Sequence, residues 1–244
     1  ESLPTRGTAM PLALLALAWQ LPSRPQQQHR APTVPACFAR SVPLLSDSDD
    51  QDSCSTDRRC IYFVSGNRIK SEEVDAIMAT SDLPVQIIHI DIDLPELQGD
   101  PMSIAKAKAA TAARRVGGSV IVEDTSLCFG ALNGMPGPYI KSFFEAIGVE
   151  GLYQLIEHQE DKSASCECVL GFSAGPGAEP LLFRGKTEGR AVSPRGTGGF
   201  GWDALFLPDG HEQPFGAMPM ATKNAISHRG RALRRFVQYF REHE

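Results

Sequence analysis

The sequence predicts an α/β fold, because strand-like and helix-like segments alternate from residue 60 onward. Short runs rich in β-branched and aromatic residues, such as Cys60–Ser65 and Val85–Ile90, precede segments with helical patterns. Two longer strand-like runs, Ser163–Ser173 and Leu181–Arg190, flank Gly175-Pro176-Gly177, which predicts a hairpin. With 244 residues, 42% of them hydrophobic, the chain is long enough to bury a core around such a sheet.

Residues 1–59 differ in composition from the rest and are predicted to be a disordered N-terminal extension. They hold seven of the 18 Pro but one of the 22 Gly, with low-complexity runs such as Gln26-Gln27-Gln28. The apolar run Pro11–Trp19 is too short to span a bilayer, so a signal peptide, an organelle transit peptide and a dispensable tail all stay open. We therefore expect the folded domain at residues 60–244 and a cytoplasmic location, with an organelle or secretory address as the alternative.

The charge balance argues against broad nucleic-acid or membrane binding. Six Arg balance six Asp and Glu in residues 1–59, so the formal net charge of −5 lies in residues 60–244. Both kinds of surface require a basic face, and we expect neither as a partner. Local clusters of Lys and Arg remain compatible with a small anion.

The first strand leads into a turn that suits a phosphate. The strand Cys60–Ser65 ends in Gly66-Asn67, and a helix is predicted over Lys70–Thr80. Such a corner presents backbone N–H groups and a lysine to an anion at a helix N-terminus. An ordinary turn without a ligand has the same residues, so this segment alone does not decide between the two.

Acidic residues follow the next two strands. The loop Asp91–Asp100 includes Glu96 and leads into an Ala-rich helix, predicted at Ser103–Val116, which carries two lysines. The strand Ser119–Val122 is predicted to end at Glu123-Asp124, and ligands of open α/β sheets bind at that edge. A solvated strand end is the alternative interpretation.

Further along, a stiff Gly- and Pro-rich turn delivers Lys141 to a helix predicted at Ser142–Ile147, and another helix is predicted at Gly151–His158. The Gly-rich segment Ser193–Asp203 carries Phe and Trp, which predicts either a loop that approaches a flat ligand or a pair of core anchors. The last helix is predicted to open at Lys223–Arg229, where a His-Arg pair favours an anion or carbonyl contact.

These residues together indicate phosphoryl chemistry on a nucleotide. Glu96 and Asp124 offer carboxylate oxygens without His or Cys partners, which suits Mg²⁺ bound through one or two carboxylates and substrate phosphates. Lysines around a phosphate chain stabilise the negative charge that develops there.

Six separated motifs resemble the inosine triphosphate pyrophosphatase family, the Ham1-type enzymes, over about residues 60–243. They are S-G-N-R-I-K-S-E-E-V, D-L-P-E-L-Q-G, V-E-D-T-S-L-C-F, G-M-P-G-P-Y-I-K, F-G-W-D and K-N-A-I-S-H-R. The resemblance implies an elongated mixed sheet with flanking helices and two lobes, with the substrate cleft between them. It also implies a homodimer that hydrolyses nonstandard purine nucleoside triphosphates (ITP, dITP, XTP) to the monophosphate and pyrophosphate, with Mg²⁺, or Mn²⁺ instead, as cofactor.

The resemblance also assigns roles residue by residue. Asp124 and Lys70 are the implied catalytic residues, and Glu96 and Asp124 are the implied metal ligands. The implied substrate-binding residues are Ser65, Gly66, Asn67, Arg68, Lys70, Lys106, Asp124, Thr125, Lys141, Phe200, Gly201, Trp202, Asp203, Lys223, His228 and Arg229.

Two other functions remain open at this point. Maf-type pyrophosphatases share the fold superfamily and act on other modified nucleotides, although their opening motif differs. A nucleotide-binding regulator without catalysis is the second alternative, and the paired acidic positions argue against it, because binding alone does not require them.

Overall fold

The computed structural model describes residues 59–195 and 201–243. The predicted extension, except for Arg59, and Phe200 of the Gly-rich loop therefore lie outside the described residues. Within the described ranges the strands are β1 (Arg59–Val64), β2 (Val85–Ile90), β3 (Val120–Phe129), β4 (Pro136–Gly137), β5 (Ser163–Ser173), β6 (Leu181–Ala191) and β7 (Phe206–Pro208). The α-helices are α1 (Arg68–Met78), α2 (Pro101–Val116), α3 (Ile140–Gln154), α4 (Met220–Ile226) and α5 (His228–His243).

The strands form one mixed sheet in the order β2-β1-β3-β5-β6-β7, with β4 paired to β3. β1 runs parallel to β2 and β3, whereas β5 runs antiparallel to both β3 and β6. Helices α2 and α5 pack against the strands, and the buried side chains of α1 join the same core cluster as those of α5. The predicted α/β class, a mixed sheet with flanking helices, is confirmed. None of the helices in the described ranges combines the length and apolar character needed to cross a membrane.

Local sequence signals set where α1 and α2 begin. The side chain of Asn67 caps α1 by accepting a hydrogen bond from the backbone N–H of Lys70 at 3.2 Å. Asp100 caps α2 in the same way, with Pro101 at the first helical position, where the missing N–H costs nothing. Gly117 ends α2 at φ 75°, a backbone conformation that favours glycine. These caps hold the β1–α1 turn and the start of α2 in place.

β3 is longer than the sequence predicts, and this corrects the placement of Glu123 and Asp124. The strand continues to Phe129, so the two carboxylates lie in its middle and not at its carboxyl-terminal tip. β1 pairs with β3 only up to Ile121, and β4 pairs with it from Leu127. Between these two neighbours, that edge of β3 has no strand partner among the described residues. The opening lies directly beside Glu123 and Asp124.

The hydrophobic core is divided between the two ends of β3 and β5. At one end, Ile121 and Leu170 pack with side chains of α1 and α5, while Val122 on the opposite face packs against α2. At the other end, Leu127 packs with Leu152 of α3 and with the residues that follow the Gly-rich loop. The polar middle of β3 separates these apolar clusters.

One helical region agrees with the predictions and one differs. The helices predicted at Ser142–Ile147 and Gly151–His158 correspond to the two parts of α3, which the non-helical backbone of Gly148 separates at φ 68° and ψ −175°. The final helical region, predicted as a single helix, is broken at Ser227 into α4 and α5. The extended backbone of Ser227 turns the chain so that α5 begins at His228 and packs directly on β6.

The contact between α5 and β6 depends on a glycine. A Cβ atom on Gly185 would lie 2.0 Å from the carbonyl oxygen of His228 and 2.5 Å from the backbone nitrogen of Ala232. Both distances are far below van der Waals contact with backbone atoms, which cannot move independently of the helix. Only a residue without a side chain allows α5 to approach the strand this closely.

We expect G185A to lower the free energy of unfolding by about 2 kcal/mol or more, because α5 must move away from β6 to admit the methyl group. The matched control is G118A, whose Cβ would lie 3.5 Å from the ring of Tyr62, an ordinary contact. That control should shift stability by less than about 0.5 kcal/mol. Urea unfolding of both variants measures the difference, and equal stabilities would contradict this account of the helix–strand contact.

Candidate active site

A cleft of about 560 Å³ opens at the uncovered edge of β3. The β1–α1 turn forms one wall, the loop after β2 forms another, and the start of α3 closes the opposite side. The charged side chains that line it are Lys70, Asp91, Asp93, Glu96, Lys108, Glu123, Asp124, Lys141 and Glu145. The cleft therefore brings together Glu96, Asp124 and Lys70, which the sequence places in three separate segments.

The β1–α1 turn faces the cleft as the sequence predicts. Ser65, Gly66, Asn67 and Lys70 all line it. The hydroxyl of Ser65 accepts a hydrogen bond from the backbone N–H of Asn67 at 3.2 Å, which holds the turn closed. The side-chain oxygen of Asn67, Oδ1, caps the helix, so the side-chain NH₂ group is the part that is left for a ligand.

Two predicted phosphate contacts do not point into the cleft. The side chain of Arg68 is 88% exposed and pairs with Glu72 one helical turn away. Lys106 lies on an outward face of α2, where its ammonium group pairs with Glu179. Neither residue lines the cleft, so the prediction that they contact the substrate directly is not supported by this geometry.

Lys108, which the sequence analysis did not select, takes the position that was expected of Lys106. Its Nζ lies 3.6 Å from Asp124 Oδ1 and 3.7 Å from Glu96 Oε2, and so bridges the two carboxylates. Lys141 Nζ lies 2.8 Å from the other oxygen of Glu96. The hydrogen bond from Lys141, opposed by partial burial and assisted by the charge of Lys108, lowers the pKa of Glu96. Glu96 is therefore held in its ionised form.

Asp124 has an unusual environment for a carboxylate. Burial raises its pKa, and the nearby charges of Lys108 and Lys70 offset this only in part. Its Oδ2 atom is buried and has no hydrogen-bond partner among the described residues. A buried carboxylate oxygen normally has a partner, so Oδ2 is available for a ligand, a cation or a water molecule.

The adjacent Glu123 has a different role, which the sequence analysis missed. It is buried, and its carboxylate accepts two hydrogen bonds from Arg229 at 2.7 and 2.8 Å and pairs with Lys70 at 2.9 Å. Burial would raise the pKa of Glu123, but the charges of Arg229 and Lys70 hold it well below its usual range. Glu123 therefore stays ionised and fixes the ammonium group of Lys70 at the wall of the cleft.

Three residues that were predicted to contact base and sugar lie instead behind the cleft wall. Arg229 is 1% exposed and pairs with Glu73 as well as with Glu123. Lys223 is also buried, and lies 2.6 Å from Glu73 and 2.5 Å from Asp203. Both cations neutralise buried carboxylates of the protein. Arg229, Lys223 and Asp203 do not line the cleft. The predictions of direct substrate contact by Lys223, Arg229 and Asp203 are not supported by this arrangement.

His228, which was also predicted to contact the substrate, does not line the cleft and lies beside Trp202, which does. Their rings stack at a centroid distance of 5.6 Å, and Trp202 lines the cleft together with Gly201. His228 is 2% exposed, and burial, with the charges of Arg229 and Lys223, lowers its pKa well below the usual range. The imidazole is therefore neutral and supports Trp202. Thr125 lines the cleft as predicted and donates a hydrogen bond to Glu123 at 3.2 Å.

Several solved structures have this fold. A HAM1 protein from Coxiella burnetii is 27% identical and superposes with a TM-score of 0.65, covering 75% of this chain and 99% of that protein. The Ham1 protein from Staphylococcus aureus is also 27% identical, with a TM-score of 0.64 and coverages of 76% and 100%. A nucleoside-triphosphatase (dITP/XTP pyrophosphatase) from Mycobacterium abscessus is 24% identical, with a TM-score of 0.57 and coverages of 72% and 98%, and shares the fold.

A family model gives the more specific result. The model of the Ham1 family matches residues 61–239, which is most of the chain and includes every segment that lines the cleft. This match favours the Ham1-type interpretation of the six motifs over the Maf-type alternative. The chain belongs to the Ham1 family.

Proposed function

We propose that this chain is a nucleoside triphosphate pyrophosphatase that converts ITP, dITP and XTP to the monophosphate and pyrophosphate, and that it acts as a homodimer. The observation that carries the proposal is the cleft in which Glu96 and Asp124 share Lys108, with Lys70 and Lys141 beside them. Carboxylates that gather a cation and lysines that bind a phosphate chain are the two requirements of this chemistry. Membership of the Ham1 family supports the assignment.

The donors in the cleft fit a magnesium ion. Within the described residues, no group of three or more His, Cys, Asp or Glu side chains is arranged to hold a metal. Mg²⁺ commonly binds through one or two carboxylates and completes its shell with water and substrate phosphates. Asp124, with its unpartnered Oδ2, and Glu96 would supply those carboxylates. The ion, with Mn²⁺ as an alternative, would neutralise charge on the phosphates.

The reaction is an in-line displacement at the α-phosphorus. A water oxygen forms a bond to that phosphorus while the bond to the oxygen bridging to the β-phosphorus breaks, and pyrophosphate leaves with the electron pair. Asp124 orients the water and accepts its proton. Its buried Oδ2 atom has no hydrogen-bond partner among the described residues, so it is available to accept this proton.

The lysines of the cleft provide the complementary charge. Lys70 is fixed by Glu123 at 2.9 Å and, with the amide NH₂ of Asn67 and the turn backbone, binds phosphate oxygens. Lys108 pairs with Asp124 and Lys141 pairs with Glu96 in this structure. When the triphosphate binds, both lysines replace part of these contacts with contacts to phosphate oxygens. Positive charge that is already in position costs little reorganisation during the reaction.

Base selection is assigned to the wall formed by Gly201, Trp202 and Phe144. The Phe144 side chain provides apolar surface beside Gly201, the buried Trp202 anchors the wall in the core, and backbone N–H groups of this segment donate to the 6-keto oxygen of hypoxanthine or xanthine. The 6-amino group of adenine cannot accept such a bond, and buried donors left unpaired would penalise ATP. Arg229 is not assigned to this contact, because its guanidinium group is already paired with the carboxylates of Glu73 and Glu123.

We expect pyrophosphate release from ITP, dITP and XTP in the presence of Mg²⁺, with kcat/KM at least about 100-fold above that for ATP. EDTA should abolish the release and added Mn²⁺ should restore it in part. A coupled pyrophosphate assay over the four nucleotides makes the measurement. Nucleotide binding without release would identify a regulator instead, and equal rates for ITP and ATP would contradict the assignment of the base.

We expect D124N to lower kcat for ITP by roughly 10²–10⁴-fold, because the carboxylate that takes the proton is lost, while KM changes less. The matched control is D82N, which alters an Asp whose side chain is 94% exposed and pairs with Arg241. That control should keep wild-type kinetics. Near-normal turnover of D124N with Mg²⁺ would exclude its role as the base.

Two lysines on the same helix provide a second matched test. K108Q removes a charge-assisted contact to the reacting phosphates and should lower kcat/KM by about 10- to 100-fold. K106Q removes the same charge two residues away, from a side chain that faces Glu179, and should leave kcat/KM within about twofold. Steady-state kinetics with ITP compares them, and the reverse order would contradict the correction from Lys106 to Lys108.

A further inference from the structure

A second concavity, of about 650 Å³, is lined by five cationic side chains and lies at a strand edge. We name it the basic groove and define it by Arg184, Lys186, Arg231, Arg234 and Arg235. β7 pairs with β6 only from Gly189 onward, so among the described residues the edge of β6 is uncovered at Arg184 and Lys186. None of the residues of the basic groove belongs to the cleft described above.

The spacing of the three arginines on α5 explains why their charges converge. Positions 231, 234 and 235 of α5 lie on one side of the helix, since residues three and four apart are neighbours on a helix surface. All three are exposed, whereas Leu233, Phe236 and Phe240 form the buried stripe of the same helix. Positions 184 and 186 point to the face of β6 opposite α5, because successive side chains of a strand alternate and Gly185 between them faces the helix, so these two residues border the basic groove at the strand edge.

The positive charge of the basic groove is only partly neutralised. Arg184 pairs with Glu167 at 2.6 Å, and Lys186 pairs with Glu188 at 2.7 Å. The three arginines of α5, in contrast, have no carboxylate partner among the described residues. They donate to backbone carbonyls: Arg231 to Ile226, Arg234 to Asn224 and Ala225, and Arg235 to Arg184.

The basic groove therefore holds three positive charges without a carboxylate partner among the described residues, although the net charge of the whole chain is −5. Burial, followed by the charge of Arg231, lowers the pKa of Arg234, which indicates that the guanidinium groups repel one another. An anion in the basic groove would relieve this repulsion. Each guanidinium carries five N–H donors, so a carbonyl contact leaves most of them free for a ligand.

We propose that the basic groove binds an oligophosphate anion at a second site, separate from the catalytic cleft. Arginine forks match the paired oxygens of phosphate groups, and several arginines in one concavity suit a ligand with several phosphates. Proteins that bind single-stranded nucleic acid combine positive charge with aromatic stacking surfaces, and among the residues that the structure describes no aromatic side chain lines the basic groove. The contacts it offers are therefore those of charge and hydrogen bonding alone.

The competing explanation is that these arginines only protect the open edge of β6. Charged side chains at a sheet edge prevent pairing with a second chain, and Arg235 already bonds the edge carbonyl of Arg184. Under that explanation the charges repel other molecules and bind no ligand with defined stoichiometry. Measuring binding of an oligophosphate separates the two explanations.

The experiment is calorimetric titration with inorganic tripolyphosphate at low salt in EDTA, using a protein whose cleft is disabled by K70Q/K108Q. We expect this protein to bind about one equivalent. Adding R231Q/R235Q should weaken binding by about 100-fold or abolish it, because two charge-assisted contacts are lost. The matched control adds R114Q/R241Q, which removes two exposed arginines outside the basic groove and should leave the affinity within about twofold.

No binding to the cleft-disabled protein would overturn the proposal, as would equal losses from the two arginine pairs. Tighter binding of a single-stranded oligonucleotide than of tripolyphosphate would also overturn it. R231K/R235K guards against a folding defect, because it keeps both charges and should keep binding within about tenfold. In the otherwise native protein, R231Q/R235Q should leave ITP hydrolysis within about twofold, so failure of the catalytic assignment is detected separately.

Discussion

The buried carboxylate of Glu123 is the constraint on which the site depends. It comes from the middle of β3 and is stabilised by Arg229 from the start of α5 and by Lys70 from the start of α1. Ionising a buried carboxylate is costly, and only close cations with good geometry offset that cost. If either helix moved away, a charge would be left buried and unpaired, at a cost of about 3–5 kcal/mol. The electrostatics of one side chain therefore fix two helices relative to the sheet.

Glu73 extends this constraint to a second layer. It bridges Arg229 and Lys223, and Lys223 in turn holds Asp203, the residue after Trp202 in the cleft wall. The alternating charges thus connect the β1–α1 turn with the wall proposed to receive the base. Because each buried charge has a partner of opposite sign, the site has fixed positive charge at its surface without an isolated charge beneath it. Among the described residues, Asp124 Oδ2 is a buried carboxylate oxygen that keeps no hydrogen-bond partner.

The sequence predicts the elements well and the directions of their side chains less well. The strands Val85–Ile90 and Ser163–Ser173 are predicted with the observed bounds, because apolar runs between turn residues are strong local signals. The sequence does not predict that β3 continues through Glu123 and Asp124, because two adjacent acidic residues are typical of the end of a strand. Lys108 was identifiable: it lies three and four positions from the buried Ala105 and Ala112, on the inward side of α2. Arg229 and Glu73, 156 positions apart, leave no local signal of their pairing.

Helix α5 shows why a net charge does not predict a local surface. Its first turn is pressed against Gly185, which forces Arg229 inward toward Glu123 and leaves Arg231 on the outward side, two residues later. Moving the helix away from β6 would weaken the buried pair and also widen the groove in which the outward arginines converge. The wall of the cleft and the basic groove therefore share one mechanical support. An excess of acidic residues elsewhere cannot cancel a field produced by three guanidinium groups in one concavity, because charges beyond about 10 Å are largely screened at ordinary salt.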